Sequence, residues 1–473
     1  MKKNRALCLF VAMLMLLMAM PAVVQAEPGY LDQSVISGCH SVDAAMQLTD
    51  GTKLTDTAKA AIVYERNSDT MIYAWNPDQR IYPTSTAKMM TALIAIEKGN
   101  LSQKVVVTKR ALSELPIGTI TSKLQVGEEL TLEQLLYCLM TASANDAALV
   151  VAEHIAGSQT AFVDMMNQKA AQLGCKDTVY TNPHGLHDPN MYTTARDICR
   201  LTDAALENEV FCAMFSAKTY EIPATNKSEA RTVTTSNLMM SEPANKKYHD
   251  SRVTGGKTGS TDAGGRCLVA TAEGGGMELL TIVMDAKPTY EIPGISLATY
   301  GSFEETAALI DHVTENYEYR QLFYEGQVIT QYPVSGGENS AVVQPAYNGG
   351  TVLPVDLDKA QLSWVYGNTV TLTAPVEKGQ SISTLQVWYG SKCLAQTELV
   401  AINGVSVWQD PVQQPRAEVK PELGLWGVAG IVLLVILGLG ILAVATVVIL
   451  HYARKFRISA RRRSRRANRR RSR

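Results

Sequence analysis

The sequence predicts an α+β domain, followed by a small all-β domain of sandwich type and one C-terminal membrane-spanning helix. Three observations carry that expectation. Between residues 53 and 319, helical and antiparallel-strand patterns interleave without a βαβ repeat, which disfavours a parallel sheet. From about Tyr324 to Val407 the texture changes to short β-rich runs separated by Gly- and Pro-containing turns. Leu423 to Leu450 is uncharged and overwhelmingly apolar, longer than the roughly 20 residues a bilayer requires.

Composition bounds the function. The chain has 473 residues, 46% of them hydrophobic and 19% charged, enough for two or three domains. Its net charge of -1 hides an asymmetry: residues 454–473 carry twelve Lys or Arg and no acid, leaving the rest near -13. An acidic body argues against a nucleic-acid enzyme, whose active domain would itself be basic, and no nucleic-acid partner is expected.

The N-terminus (1–26) reads as a secretory signal. Lys2, Lys3 and Arg5 form the positive region, Ala6 to Met20 the apolar region, and Val24-Gln25-Ala26 the cleavage site. Residues 27–52 form a leader segment without sustained periodicity. Of the seven cysteines beyond the signal, Cys39, Cys138, Cys175, Cys199, Cys212, Cys267 and Cys393, none shows C-x-x-C spacing, so neither a zinc site nor a dense disulfide framework is indicated.

The first domain (53–319) opens with Ala60 to Tyr64, a polar turn at Asn67-Ser68-Asp69, and Met71 to Trp75, a strand hairpin. A helix follows, with Met89, Ala92, Leu93 and Ile96 as its stripe and Gly99 as its stop. Apolar and small residues cover most of its circumference, so it belongs at the centre. Thr131 and Gln134 match a capping box ahead of Leu135. Further helices run from about Asp146 to Gly157 and Thr160 to Leu173, with a short one after Arg196-Asp197. Strands return at Cys267 to Thr271 and Glu278 to Met284, and an acidic amphipathic helix, Phe303 to Val313, closes the domain. The all-β domain (324–408) and a Pro- and Gln-bearing linker (409–422) lead to the span (423–450) and a basic tail (451–473). Positive charge on that side places the tail in the cytoplasm and the first domain outside; attraction to anionic headgroups accounts for it further.

The chemistry gathers around Ser85 and Lys88, three residues apart at the mouth of the central helix. That spacing puts both on one face, so the amine can reach the hydroxyl and act as its base. One such pair is expected by chance in a chain this size. Two further motifs follow in order: Ser143-Ala144-Asn145 after a helix, where a hydroxyl and an amide can face a cleft, and Lys257-Thr258-Gly259 before the strand-rich region, whose glycine allows close backbone approach. Jointly, in that order and at domain-scale spacing, they are a strong signal. His184 and His187 lie in a loop beside Pro183 and Gly185 and read as structural, and Asp146 reads as a helix-start acid.

With these motifs the sequence resembles the penicillin-recognising serine enzymes, and within them the low-molecular-weight penicillin-binding proteins, the D-alanyl-D-alanine carboxypeptidases of peptidase family S11. Asn182-Pro183-His184-Gly185-Leu186, Thr194-Ala195-Arg196-Asp197 and Ala263-Gly264 extend the match, which covers about Lys53 to Tyr319. The resemblance implies the serine β-lactamase-like fold, an antiparallel sheet with helices. It further implies that Ser85 attacks the carbonyl between two terminal D-alanines of a peptidoglycan stem peptide and forms an acyl-enzyme, as it would with β-lactam antibiotics. Lys88 would be the base, its pKa lowered by burial and by Lys257. Ser143 would relay a proton to the leaving amine, Asn145 would bind the peptide, and Lys257 with Thr258 would bind the terminal carboxylate. The oxyanion would meet backbone N–H groups of Ser85 and Ser260, with Gly259 between the binding residues. No metal or organic cofactor is called for. Ser260 departs from relatives that often carry a bulkier side chain there, which touches substrate preference.

Three rival readings remain at this level. A β-lactamase shares the motifs, but the deacylating Glu-x-x-Leu-Asn segment of class A enzymes is missing between Asn145 and Lys257. A membrane-bound β-lactam or muropeptide receptor would signal through a tail of only about twenty residues. A catalytically dead wall-binding protein would not need all three motifs intact.

Overall fold

The computed structural model describes residues 53–113, 115–241, 247–287, 300–367, 371–409 and 425–468. The expected signal and leader, and all but the first residue of the expected linker, lie outside the described residues. The chain divides into two units after Ser406.

The first unit is built on a five-stranded sheet. Strands β1 (Ala60–Glu65) and β2 (Thr70–Trp75) form the expected hairpin. They are joined by β3 (Val253–Thr261), β4 (Gly265–Gly274) and β5 (Met277–Ala286) in the order β2-β1-β5-β4-β3, every neighbour antiparallel. Both faces of the sheet are covered, which is why β1 and β2 read as near-continuous apolar runs and not as alternating ones.

One difference from the sequence reading matters for the site. The Lys257-Thr258-Gly259 motif was expected ahead of the strands, yet it lies inside β3, the edge strand. Three of the nine residues of β3 are glycines, which are poor strand formers, so propensity hides it. Packing overrides that: a Cβ at Gly255 would stand 2.7 Å from the Phe215 ring, and one at Gly256 would stand 2.5 Å from Asn237 Nδ2.

On one face of the sheet lies α1 (Ala87–Lys98) with the helices around it. Every residue from Ala87 to Ala95 is buried, as its all-round small and apolar surface predicts. Gly99 ends α1 in extended conformation, so its smallness serves space: a Cβ would crowd Ala95 O at 2.8 Å and Ile155 Cδ1 at 3.0 Å. Next is α2 (Leu132–Met140), which carries the capping box in full. Thr131 Oγ1 accepts from Gln134 N at 3.2 Å, and Gln134 Oε1 accepts from Thr131 N at 2.8 Å. Then come α3 (Asn145–Ala156), α4 (Gln159–Gln172) and α5 (Ala195–Leu206). Helix α6 (Gly301–Asn316) covers the other face through Phe303, Leu309, Ile310 and Val313.

Strand Tyr317–Phe323 follows α6 directly and pairs with Gly349–Pro354, so it straddles the expected end of the first domain at Tyr319. Thr351 of that pair meets Thr70 of β2 at 3.2 Å, tying the all-β region to the first sheet. Beyond it, a five-stranded sheet runs in the order Thr330–Tyr332, Ala341–Pro345, Lys392–Ala401, Ser381–Tyr389, Leu362–Tyr366. Phe323, Val343, Leu385, Val387 and Leu399 form its core.

In the second unit the described residues from 425 on form one helix, Leu425–Asn468. Its stretch Ala429–Lys455, of mean hydropathy 3.1, is long and apolar enough to cross a membrane. The helix passes the expected end of the span at Leu450 and runs on through the basic segment, whose Arg, Lys and Ala are good helix formers.

Candidate active site

Ser85 sits in a single 3₁₀ turn, Thr84–Thr86, that leads into α1. The turn is held under strain: Thr84 is left-handed, at φ 53°. Three glycines press on it. At Gly185 a Cβ would overlap the Thr84 carbonyl, and at Gly259 it would overlap the Thr84 hydroxyl. At Gly264 it would lie 2.5 Å from the Thr84 methyl. The Gly185-Leu186 loop and the β3 backbone can therefore close on the residue before Ser85 only because they carry no side chain there.

Lys88 is fully buried one helical turn on. Its Nζ lies 3.0 Å from Ser85 Oγ and donates to the His184 carbonyl at 2.6 Å. Burial pushes its pKa well below the ordinary lysine range, and the neighbouring Lys257 pushes it further, against a smaller opposing pull from Asp146. A neutral amine at that distance can accept the Ser85 proton.

His184 is the residue whose part sequence reading did not find. It is structural, as expected, but its structure serves the site: its carbonyl fixes Lys88. The loop is locked by Asn182, whose Oδ1 accepts from Gly185 N at 2.7 Å and whose Nδ2 donates to Leu186 O at 3.0 Å. The His184 ring accepts from Leu186 N at 3.2 Å, and burial followed by the Lys88 charge lowers its pKa to about 3, so it stays neutral. His187 packs edge-on against Tyr82.

Ser143 stands between α2 and α3, also left-handed, at φ 58°. Its Oγ accepts from Lys257 Nζ at 2.8 Å, and the same amine donates to the Thr258 carbonyl at 3.0 Å. Burial alone lowers the Lys257 pKa to about 7. Asn145 opens α3, its backbone N–H donating to Ile120 O at 2.9 Å. Its side-chain Oδ1 is buried and has no hydrogen-bond partner among the described residues. Asp146 beside it is spent on structure, accepting from the backbone N–H groups of Ser122, Leu124 and Ala147 at 2.9–3.0 Å.

A cleft of about 270 Å³ is lined by Ser85, Ser143, Thr258, Gly259 and Ser260. Lys88 and Lys257 lie behind these, and Asn145 is not part of the lining. The β3 backbone runs close to the nucleophile, a Cβ at Gly259 standing 3.3 Å from Ser85 N. The cleft also includes residues the motifs did not reveal. Ser236 Oγ lies 2.5 Å from Thr258 Oγ1, and Arg266, Tyr300 and Phe303 form the side toward α6. None of these had a sequence signal: Ser236 is one polar residue in a polar run, and Arg266 stands alone behind two glycines.

A family profile described as D-alanyl-D-alanine carboxypeptidase, peptidase S11, matches residues 47–288, and one described as the penicillin-binding protein 5 C-terminal domain matches residues 317–406. The D-alanyl-D-alanine carboxypeptidase DacF of Bacillus subtilis is 28% identical over 359 residues, 74% of this chain and 86% of the relative. DacA of Haemophilus influenzae is 28% identical over 388 residues, 80% of this chain and 92% of the relative. The crystal structure of penicillin-binding protein 5 from Haemophilus influenzae superposes with a TM-score of 0.60 at 28% identity, covering 75% of this chain and 99% of that one.

Proposed function

The chain belongs to the D-alanyl-D-alanine carboxypeptidase family, peptidase S11, and from that membership we propose that it removes the terminal D-alanine from peptidoglycan stem peptides through an acyl-enzyme on Ser85. The observation that carries this reading is the buried Lys88 amine, 3.0 Å from Ser85 Oγ and held by the His184 carbonyl.

In this mechanism the neutral Lys88 amine takes the Ser85 hydroxyl proton as Oγ bonds to the carbonyl carbon of the penultimate D-alanine. The carbonyl oxygen becomes an oxyanion facing the backbone N–H groups of Ser85 and Ser260, a placement supported by the approach of Gly259 to Ser85 N. Collapse breaks the C–N bond, and a proton passed through Ser143 leaves with the D-alanine amine. Asn145 offers its buried amide oxygen, which has no hydrogen-bond partner among the described residues, to a substrate N–H. The terminal carboxylate meets the Thr258 hydroxyl in the cleft, with Lys257 adjoining behind it. Water then hydrolyses the ester and Ser85 recovers its proton. A β-lactam acylates the same oxygen and leaves no amine to depart, so it remains bound.

The same reading gives the domains and the location. Residues 53–319 form the catalytic domain and 324–408 the all-β domain, held outside the cell by the 423–450 span with the basic tail in the cytoplasm; export uses the 1–26 signal. The test is to incubate the detergent-solubilised full chain and its Ser85→Ala variant with a labelled penicillin and with a D-Ala-D-Ala peptide. A covalent adduct and D-alanine release are expected from the parent alone. Equal activity in the two would overturn the mechanism, and rapid penicillin turnover in place of a lasting adduct would favour a β-lactamase.

A further inference from the structure

Resting on that carboxypeptidase reading, we propose that Arg266 is the cation that recognises the terminal carboxylate of the substrate, with Tyr300 supporting its guanidinium and Thr258 adding a hydroxyl. The motif lysine is poorly placed to supply that charge alone. Lys257 is buried, and its Nζ already donates to Ser143 Oγ and to the Thr258 carbonyl. Its burial also drives it toward the neutral form. A carboxylate drawn out of water needs a partner that keeps its charge, and a guanidinium does.

Arg266 meets that need by position. It is the second residue of β4, directly opposite Ser260 of β3, and cross-strand partners share a face, so both contribute to the cleft. Its guanidinium carbon lies 4.7 Å from the centroid of the Tyr300 ring, which fixes the plane of the group without using its N–H donors. Every other arginine from Arg66 to Arg320 forms an ion pair with a carboxylate of the protein. The Arg266 guanidinium has no ion-pair or hydrogen-bond partner among the described residues, and no acid lines the cleft it faces among them. A half-buried guanidinium with no hydrogen-bond partner among the described residues, lining the same cleft as Ser85, is complementary to a planar carboxylate.

The test separates charge recognition from structure. Rates of D-alanine release from a peptide ending in D-Ala-D-Ala are compared with release of alaninamide from its C-terminal amide, in the full-length parent, Arg266→Gln and Arg266→Lys. The acylation rates by a penicillin and by its methyl ester form a second pair. Loss of a charge-assisted hydrogen bond predicts that Arg266→Gln lowers kcat/KM for the acid about tenfold to a hundredfold, mainly through KM, and that for the amide by less than threefold. The acid-to-amide ratio therefore collapses, and Arg266→Lys restores part of it. An equal fall for acid and amide, or an unchanged ratio, would overturn the proposal. If acid release persists with its full discrimination, the carboxypeptidase reading stands and only the role of Arg266 fails. If no variant, parent included, releases D-alanine, the reading beneath it fails.

Discussion

In the first domain, ionisable side chains lie inside: Lys88, Glu128, Asp146 and Lys257 are all buried. In the all-β domain the buried polar side chains among the described residues are Thr351, Gln386 and Thr397, none of them charged. Backbone strain divides the same way. The left-handed non-glycine residues, Thr84 and Ser143 among them, fall between Asp69 and Asp285, and none is found in the described part of 317–409. The all-β domain is thus packed for stability, around Leu385, Val387 and Leu399. The first domain accepts buried amines and strained turns, those at Thr84 and Ser143 lying beside Ser85 and Lys257, and its apolar cluster around α1 offsets them.

The sharpest way to break this contrast is to remove the buried amine. Lys88→Met should lower the rate of acylation by a labelled penicillin by about 10²- to 10⁴-fold, the ordinary range for a general base. Stability should change little, within about 1.5 kcal/mol, because relief from burying an amine offsets the orphaned His184 carbonyl. A time course of adduct formation and a denaturation curve read both quantities. A residual rate within tenfold of the parent would mean that Lys88 is not the base.

The reverse experiment belongs in the other domain. Leu385 is fully buried, and Leu385→Ala should cost about 2–5 kcal/mol of stability there. Acylation measured well below the transition should stay within twofold of the parent. An acylation loss that tracks the unfolding of the all-β domain would mean that the two share one cooperative unit.

These effects also explain what the sequence could and could not reveal. The hairpin, the capping box at Thr131 and the all-round apolar character of α1 are local patterns, and each element appears where its pattern lies. Ser85, Lys88 and Ser143 were legible because short motifs carry them. Strand β3 was not, since its identity comes from Phe215, Asn237 and Thr84 packing against glycines that are far away in sequence. The same holds for His184, which acts through a backbone carbonyl that any residue possesses, and for Arg266, which reaches the cleft only through its pairing with Ser260 and its stacking on Tyr300. A smaller, third test addresses that long-range closure. Gly185 is left-handed at φ 80° and its Cβ would overlap the Thr84 carbonyl, so Gly185→Ala should cost about 1–3 kcal/mol. It should also slow acylation, by displacing the turn that presents Ser85. Normal acylation in a destabilised variant would show that the Thr84 turn tolerates movement.

The mildest expected effect concerns the second buried amine. Burial brings Lys257 to about 7 in the folded chain, while an unfolded lysine titrates near 10.4. Below pH 7 both states hold the proton, and this group adds no slope to stability. Between about 7 and 10.4 the unfolded chain binds a proton that the folded chain has shed, so stability gained from this group rises with pH across that window. Lys257→Met has no such proton. Relative to the parent it should therefore be the more stable protein at pH 7, and the gap should narrow steadily toward pH 10. Melting curves of both proteins over that range decide the matter. A gap independent of pH would mean that Lys257 keeps its charge in the folded state, and that the cleft can supply a cation to the carboxylate from Lys257 as well as from Arg266.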